Sequence, residues 1–155
     1  MGYIMDLRAV VGHRPLIQVG SCVLVEDARG QVLLQRRSDN RLWDFSSAGS
    51  MEPGESAEET ARRELLEETG LSAHKLELLG VFSGGEEYAV YPNGDEVYNV
   101  SFVYACRDWS GQLKPQAEEV EELRFFSPDN LPEELAGGLR RRLPVFLAEK
   151  KAERR

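Results

Sequence analysis

The most constraining feature of the sequence is a helix whose two ends are both marked. Ser56 and Glu59 form an S-x-x-E capping box, in which each side chain accepts a hydrogen bond from a free backbone N–H group at the start of a helix. Gly70 is the residue type that most readily adopts the left-handed conformation that ends a helix. The pattern therefore predicts a helix that begins at Ala57 and ends at Thr69.

Three carboxylates share one surface of this predicted helix. Glu64, Glu67 and Glu68 stand at i, i+3 and i+4, beside an apolar stripe at positions 57, 61 and 65 that faces inward. Like charges this close repel one another, and divalent cations relieve the repulsion. Mg²⁺ in particular prefers carboxylate oxygens, waters and phosphates. We therefore predict that these carboxylates line the floor of a pocket.

The alternative for an acidic helix is a solvated surface. Glu-rich helices are commonly exposed and are stabilised by i,i+4 ion pairs, here Glu58 with Arg62 and Glu59 with Arg63. Helix composition alone favours this alternative, so the choice depends on the residues around the helix.

Short apolar segments, rich in β-branched residues and separated by turn-forming residues, predict a sheet. The predicted strands are 16–25, 31–34, 42–45, 75–82, 96–105 and 123–126. A Ser/Gly/Pro-rich loop, 46–55, leads into the first helix, and a second helix is predicted over 139–150. Because neither helices nor strands bury their apolar faces alone, we expect an α/β fold with a mixed β-sheet sandwiched between helices. The length suits a single domain, 1–155.

Charge and composition limit the partners. The chain has 19 Lys and Arg against 27 Asp and Glu, a net charge of −8, so as a whole it repels long nucleic acids. A small polyphosphate substrate remains compatible, because bound cations reverse the local field. The basic segments 140–142 and 150–155 are interpreted as a solvated helix end, with a nucleic-acid-binding arm as the alternative.

The cysteines and the N-terminal residues indicate the compartment. Cys22 and Cys106 lie in apolar runs without C-x-x-C spacing, which favours buried thiols in a reducing cytosol. The first residues include Asp6 and Arg8, and no later segment approaches transmembrane length. We expect a cytoplasmic protein without a membrane partner.

Residues 49–71 read G-S-M-E-P-G-E-S-A-E-E-T-A-R-R-E-L-L-E-E-T-G-L. They match every specified position of the Nudix box, G-x5-E-x7-R-E-U-x-E-E-x-G-U, where U is a bulky aliphatic residue. A signature that fixes so many positions is far more specific than a lone glycine motif. The chain therefore resembles the Nudix (MutT-type) hydrolase family, closely over the box and by the order of strands and helices elsewhere.

The resemblance implies an activity and a cofactor. Nudix hydrolases cleave a diphosphate bond in a nucleoside diphosphate linked to another moiety: a nucleoside triphosphate, a dinucleoside polyphosphate, ADP-ribose or a nucleotide sugar. The implied cofactor is Mg²⁺, with Mn²⁺ as the alternative ion. The metal neutralises the diphosphate and activates a water for in-line attack, so no protein nucleophile is required.

The resemblance also assigns roles within the box. The implied metal ligands are Glu64 and Glu68 as the principal ones, Glu67 in support and the backbone carbonyl of Ala48. Glu55 would pair with Arg63 and hold the loop against the helix. The general base is implied to be either a box glutamate or a loop glutamate. The loop candidates, for which solvated surface charge is the alternative, are Glu118, Glu119, Glu121 and Glu122.

Three residues outside the box are candidate substrate contacts. Arg37 resembles an arginine that contacts substrate phosphate in similar proteins, with a surface ion pair as the alternative. Trp43 either stacks on a base or packs in the core. Tyr88 follows the box at the spacing of a tyrosine seen in dinucleoside polyphosphate hydrolases.

One segment departs from the common family pattern. Many members have Leu-Pro-Gly-Gly before the box, whereas this chain has Phe-Ser-Ser-Ala-Gly at 45–49, which retains only the box glycine. A carbonyl ligand needs no particular side chain, so the implied metal site survives the change. A rival hypothesis is a Nudix-fold module that binds a nucleotide without cutting it, but such modules usually lose box glutamates. Homodimers are frequent in the family, and the sequence does not locate an interface.

Overall fold

The computed structural model describes residues 2–153, with side chains to residue 148, and contains a mixed eight-stranded sheet flanked by helices. The helices are α1 (Tyr3–Val11), α2 (Ala57–Thr69) and α3 (Gly137–Glu153), with a short 3₁₀ helix at Gly85–Glu87. The strands are β1 (Leu16–Glu26), β2 (Val32–Arg37), β3 (Trp43–Asp44), β4 (Ser47–Ser50), β5 (Ser72–Phe82), β6 (Tyr88–Val90), β7 (Glu96–Ser110) and β8 (Val120–Phe126).

The sheet is built around two long central strands. The main path runs β3-β2-β1-β7-β5, with β4 paired to β1, β6 to β7 and β8 to β2. Strands β1 and β7 run parallel, from Leu16 opposite Val97 to Val25 opposite Cys106, and the other pairings are antiparallel. This single parallel pair makes the sheet mixed.

Alternation along the central strands divides the core between the two faces of the sheet. On one face, Leu24 and Leu34 pack against α3 through Phe146. On the other, Val23 and Leu33 pack against α2, where Leu65 is fully buried. The sheet therefore lies between α2 and α3, and the predicted α/β/α arrangement is confirmed.

Helix α2 has the predicted bounds because both predicted caps form. The Ser56 hydroxyl accepts a hydrogen bond from the Glu59 N–H at 3.1 Å, as a capping box requires. Gly70 follows the helix in the left-handed conformation at φ 81°, and its N–H bonds the Leu66 carbonyl. The two caps fix where the box carboxylates fall along the helix.

Four elements are absent from the set that the sequence predicts: α1, β4, β6 and the short 3₁₀ helix. Strand β4 lies inside the segment 46–55, which the sequence predicts to be a loop. Strand β6 lies between the predicted strands 75–82 and 96–105 and pairs with the start of β7. Strand β5 does pair with β7, on the other part of that long strand.

The structure corrects the prediction for one side chain and decides between the two alternatives for another. The predicted solvated helix end includes Arg142, but this residue is 3% exposed, pairs with Glu87 and lies over the Phe82 ring. Trp43 is 4% exposed and packs edge-on against Phe126, so the structure supports the core alternative over base stacking. The side chains of 150–155, the rest of the predicted basic segment, lie outside the described part.

Candidate active site

Arg63 forms a clamp that joins the box loop to α2. Its Nε and Nη2 donate to the two carboxylate oxygens of Glu55 at 2.7 and 3.0 Å, in a bidentate geometry. Nη2 also donates to the Ser50 carbonyl at 3.0 Å, and Nη1 donates to Glu64 at 2.8 Å. The predicted Glu55–Arg63 pair is thus present, and it ties strand β4, the loop and the helix together.

Glu68 is a buried carboxyl group held by two donors. Its side chain is 3% exposed, and its oxygens accept hydrogen bonds from Gln35 Nε2 at 3.1 Å and from the Ala48 backbone N–H at 3.2 Å. Gln35 Nε2 is also within 3.0 Å of the Ser46 carbonyl. Burial raises the pKa of Glu68 to about 8, against the opposing effect of these donors.

Glu64 and Glu68 lie one helical turn apart on α2, and each affects the pKa of the other. Burial raises the pKa of Glu64, and the nearby charge of Glu64 contributes to the raised pKa of Glu68. Burial is less complete at Glu64, whose side chain is 16% exposed. Glu67 differs from both, because its side chain is 52% exposed and its nearest partner is Arg63 Nη1 at 3.4 Å. A cation bound between Glu64 and Glu68 would favour the ionised form of both carboxyl groups.

Gly49 allows α2 to lie close to β4. A Cβ atom added at Gly49 would overlap the carboxyl end of the Glu64 side chain. Position 49 therefore admits only a residue without a side chain if Glu64 is to keep its place. The contact gives a physical reason for the glycine that opens the Nudix box.

The orientation of β4 turns the Ala48 carbonyl toward the same carboxylates. Ala48 lies opposite Cys22 of β1, and its N–H donates to Glu68 instead of to β1. In an antiparallel pair the N–H and C=O of such a residue both point away from the neighbouring strand. The carbonyl implied as a metal ligand thus faces the side where Glu68 lies.

The donor set fits a Mg²⁺ ion, although it is not a preformed cage. Among the residues that the structure describes, no three His, Cys, Asp or Glu side chains converge as metal ligands. Arg63 occupies one Glu64 oxygen, and Gln35 and Ala48 occupy Glu68. Mg²⁺ is usually held by only one or two carboxylates, with waters and substrate phosphates completing its shell. Glu64 and Glu68 provide two such carboxylates beside the Ala48 carbonyl.

The four acidic loop residues differ in what their carboxylates contact. Glu121 binds Arg36 and Arg41 at 3.1 and 3.3 Å, and Glu122 binds Arg124, so both carboxylates are engaged in ion pairs. The structure gives Glu118 no contact with the site. Glu119 is exposed, and it is the loop carboxylate whose charge contributes to the raised pKa of Glu68, after the larger effect of burial.

The backbone carries this loop past the end of α2. Lys114 N–H bonds the Thr69 carbonyl at 2.7 Å, and Gln116 N–H bonds the Glu68 carbonyl at 3.3 Å. Gly70 and Gly111 permit the crossing, because a Cβ on either would overlap a backbone carbonyl oxygen of the opposing segment. These contacts bring Glu119 near the carboxylate pair.

Arg37 and Tyr88 both have intramolecular partners. Arg37 forms the surface ion pair, with Nε and Nη2 bound to Asp39 at 3.0 and 2.9 Å, while it remains within electrostatic range of Glu68. The Tyr88 hydroxyl donates to Glu96, and its ring lies 5.0 Å from that of Tyr98. Their predicted contacts with substrate stay predictions.

Gln35 is the site residue that the sequence analysis missed. It is 2% exposed and lies on the same face of β2 as Leu33, toward α2. A glutamine at a buried position of an otherwise apolar strand was the available signal, since buried polar groups require partners. Its hydrogen bond to Glu68 depends on the packing of α2 against β2, which the sequence alone does not show.

The fold and the site define a class of protein: an α/β protein in which an arginine clamp holds a helix against the sheet and places Glu64 and Glu68 of that helix beside β4. The sequence model of the NUDIX domain matches residues 16–146. The chain belongs to the Nudix hydrolase family.

Among the helices of residues 2–153, none has the length and apolar character needed to cross a bilayer.

Relatives in this family carry several different names. The chain is 35% identical over 113 residues to the putative 8-oxo-dGTP diphosphatase of Bacillus subtilis, covering 73% of this chain and 68% of that protein. It is 32% identical over 124 residues to the NAD-capped RNA hydrolase NudC of Stutzerimonas stutzeri, covering 79% of this chain but only 41% of the relative. The chain is 31% identical to the RNA pyrophosphohydrolase of Dinoroseobacter shibae and covers 61% of that protein.

Solved structures agree with the fold. The MutT Nudix hydrolase from Burkholderia pseudomallei matches with a TM-score of 0.72 at 25% identity, over 84% of this chain and 98% of that one. The MutT protein from Bacillus halodurans matches with a TM-score of 0.66 at 28% identity, over 82% and 80% of the two chains.

The contact between Gly49 and Glu64 can be tested directly. In Gly49→Ala the new Cβ must displace the Glu64 carboxyl group, and we expect Mn²⁺ affinity to fall about 10- to 100-fold, the range for disturbed metal surroundings. Electron paramagnetic resonance of free Mn²⁺ measures the affinity. Gly85→Ala is the matched control, because an added Cβ there meets nothing within 4 Å. Unchanged affinity in a folded Gly49→Ala protein would contradict this account of the contact.

Proposed function

We propose that this protein is a Mg²⁺-dependent pyrophosphohydrolase that cleaves a diphosphate bond in a small nucleotide. The observation that carries the proposal is the pair of carboxyl groups that α2 places beside β4: Glu68 is buried against the Ala48 N–H, and Glu64, 16% exposed, lies directly against Gly49. Burying two carboxyl groups together is unfavourable unless something positive binds between them. A hard divalent cation suits these oxygen donors.

The chain's own residues supply positioning and proton transfer. Mg²⁺, when bound, would neutralise the diphosphate oxygens and acidify a water molecule. Arg63 and Glu55 hold Glu64 in place, and Gln35 orients Glu68. Glu119 is the loop residue suited to take the proton from the attacking water, because it is exposed and its loop is bound to the Glu68 backbone carbonyl through the Gln116 N–H. Arg37 is suited to bind a substrate phosphate if it exchanges Asp39 for that anion.

The substrate class follows from charge and family. The net charge of −8 disfavours long nucleic acids and favours a small nucleotide whose phosphates the cation screens. The names of the relatives, which include an 8-oxo-dGTP diphosphatase and RNA-end hydrolases, define the compounds worth testing.

We further propose a single domain over 1–155 and a cytoplasmic location.

A binding module without catalysis is the alternative function. The intact set of clamp and carboxylate residues favours the enzyme, since a module that only binds has no need for a buried carboxylate pair. The members of that set are Glu55, Arg63, Glu64, Glu67 and Glu68.

A substrate panel with a matched pair of variants tests the proposal. The panel contains nucleoside triphosphates, 8-oxo-dGTP, dinucleoside polyphosphates, ADP-ribose, nucleotide sugars and a 5′-triphosphorylated oligonucleotide. We expect Mg²⁺-dependent turnover of at least one small nucleotide. Glu68→Gln should reduce kcat by on the order of 10²-fold or more, because it removes a ligand of the activating ion. Glu59→Gln, an exposed change on the same helix, should leave kcat unaltered.

Two outcomes would contradict the proposal. Turnover that persists in Glu68→Gln would remove the carboxylate pair from the chemistry. Nucleotide binding by a folded protein without turnover of any compound would support the binding module.

Glu119 is tested by separating catalysis from metal binding. We expect Glu119→Gln to lower kcat by about 10²-fold, the usual contribution of a general base, while the Mg²⁺ concentration for half-maximal activity stays unchanged. Glu118→Gln is the neighbouring control. Equal effects of the two changes would show that loop charge, and not a specific base, is responsible.

A further inference from the structure

Helix α1 lies outside the part of the chain that matches the NUDIX domain. The match begins at residue 16, whereas α1 spans Tyr3–Val11. None of the catalytic or binding roles proposed above belongs to a residue of this helix. Nevertheless its two ends bind two different segments around the site, the box loop and the turn between β6 and β7.

The N-terminal end of α1 is capped by a residue of the box loop. Gly2 occupies the N-cap position and provides no side-chain cap. Instead the Glu52 carboxylate accepts a hydrogen bond from the Tyr3 N–H at 2.9 Å, and a Cβ at Gly2 would overlap the Glu52 side chain. A carboxylate at this end of a helix meets free N–H groups and the positive end of the dipole. Glu52 is thereby fixed by a contact 49 residues away in sequence.

Glu52 is also in direct contact with the clamp. Its backbone N–H donates to Glu55 Oε1 at 2.8 Å, and the same oxygen accepts from Arg63 Nη2 at 3.0 Å. Arg63 in turn donates to Glu64 at 2.8 Å. A continuous chain of hydrogen bonds therefore runs from the first turn of α1 to a carboxylate of the central pair.

The C-terminal end of α1 is anchored more firmly. Arg8 is 7% exposed and donates to the carbonyls of Gly12, Arg14 and Glu96, with Asp95 at 3.7 Å. His13 Nδ1 lies 2.7 Å from the Asp95 carboxylate. A buried guanidinium must keep these partners, so this end holds α1 against the start of β7.

We propose that α1 is a strut that positions the box loop, and that Glu52 is the positioning residue through which it acts on the clamp and on Glu64. The strut is about 13 Å long, from nine residues at 1.5 Å each. Through Arg8, one end is anchored to Asp95 of the turn and to Glu96 at the start of β7, and the other end holds Glu52. This inference rests on the proposed function, because the role of Glu64 comes from there.

The first test measures Mn²⁺ binding by electron paramagnetic resonance, which needs no turnover. We expect Glu52→Ala to weaken Mn²⁺ binding about five- to tenfold, a typical size for coupling between sites. Glu52→Gln should restore most of the affinity, because an amide oxygen still accepts from the Tyr3 N–H. Glu86→Ala, a change of an exposed glutamate outside the box and α2, should have no effect. Unchanged Mn²⁺ affinity in Glu52→Ala would overturn the strut.

A double-mutant cycle tests the mechanical link. Asp95→Asn loosens the far anchor, and changes this far apart normally have additive effects. If α1 transmits the anchor to the loop, Asp95→Asn should weaken Mn²⁺ binding in the wild-type background and have no further effect in Glu52→Ala. Additive effects would overturn the proposal. Mn²⁺ binding without turnover in the wild type would contradict the hydrolase but leave this test intact.

Discussion

The close contact between β4 and α2 is the constraint on which the site depends. Gly49 has no side chain, so Glu64 lies directly against the strand, and the neighbouring Ala48 N–H reaches Glu68. The helix is held in this position by burial of Leu65 against the sheet and by the Arg63 clamp. If either element moved, the two carboxyl groups would separate or become exposed to water, and they could no longer bind one cation together.

The site resolves an apparent conflict between an acidic protein and an anionic substrate. Glu64 and Glu68 lie close together and largely out of water, and burial raises the pKa of both carboxyl groups. In our account a divalent cation binds between them and turns an acidic edge into one that attracts phosphate. The nearby arginines bind carboxylates of the protein itself. Arg63 forms the clamp with Glu55, and Arg37 forms an ion pair with Asp39.

The parts predictable from the sequence were those with local signals. Helix α2 followed from its caps, the sheet from apolar segments, and the Glu55–Arg63 pair from the family signature. Strand β4 was missed because Ser and Gly carry no strand pattern, and its pairing is set by β1. Helix α1 lacks a local N-cap side chain, since Glu52 caps it from afar. The burial of Arg142 and Gln35 depended on Glu87 and Glu68, which are distant in sequence.

The most direct test of the central claim is X-ray diffraction at the manganese absorption edge, from crystals grown with Mn²⁺. The account predicts an anomalous peak bound by carboxylate oxygens of Glu64 and Glu68, with the Ala48 carbonyl as a further ligand. Arg63 should keep its bidentate contact with Glu55 in that structure. A peak at other residues, or the absence of a peak at Glu64 and Glu68 at saturating Mn²⁺, would contradict the account.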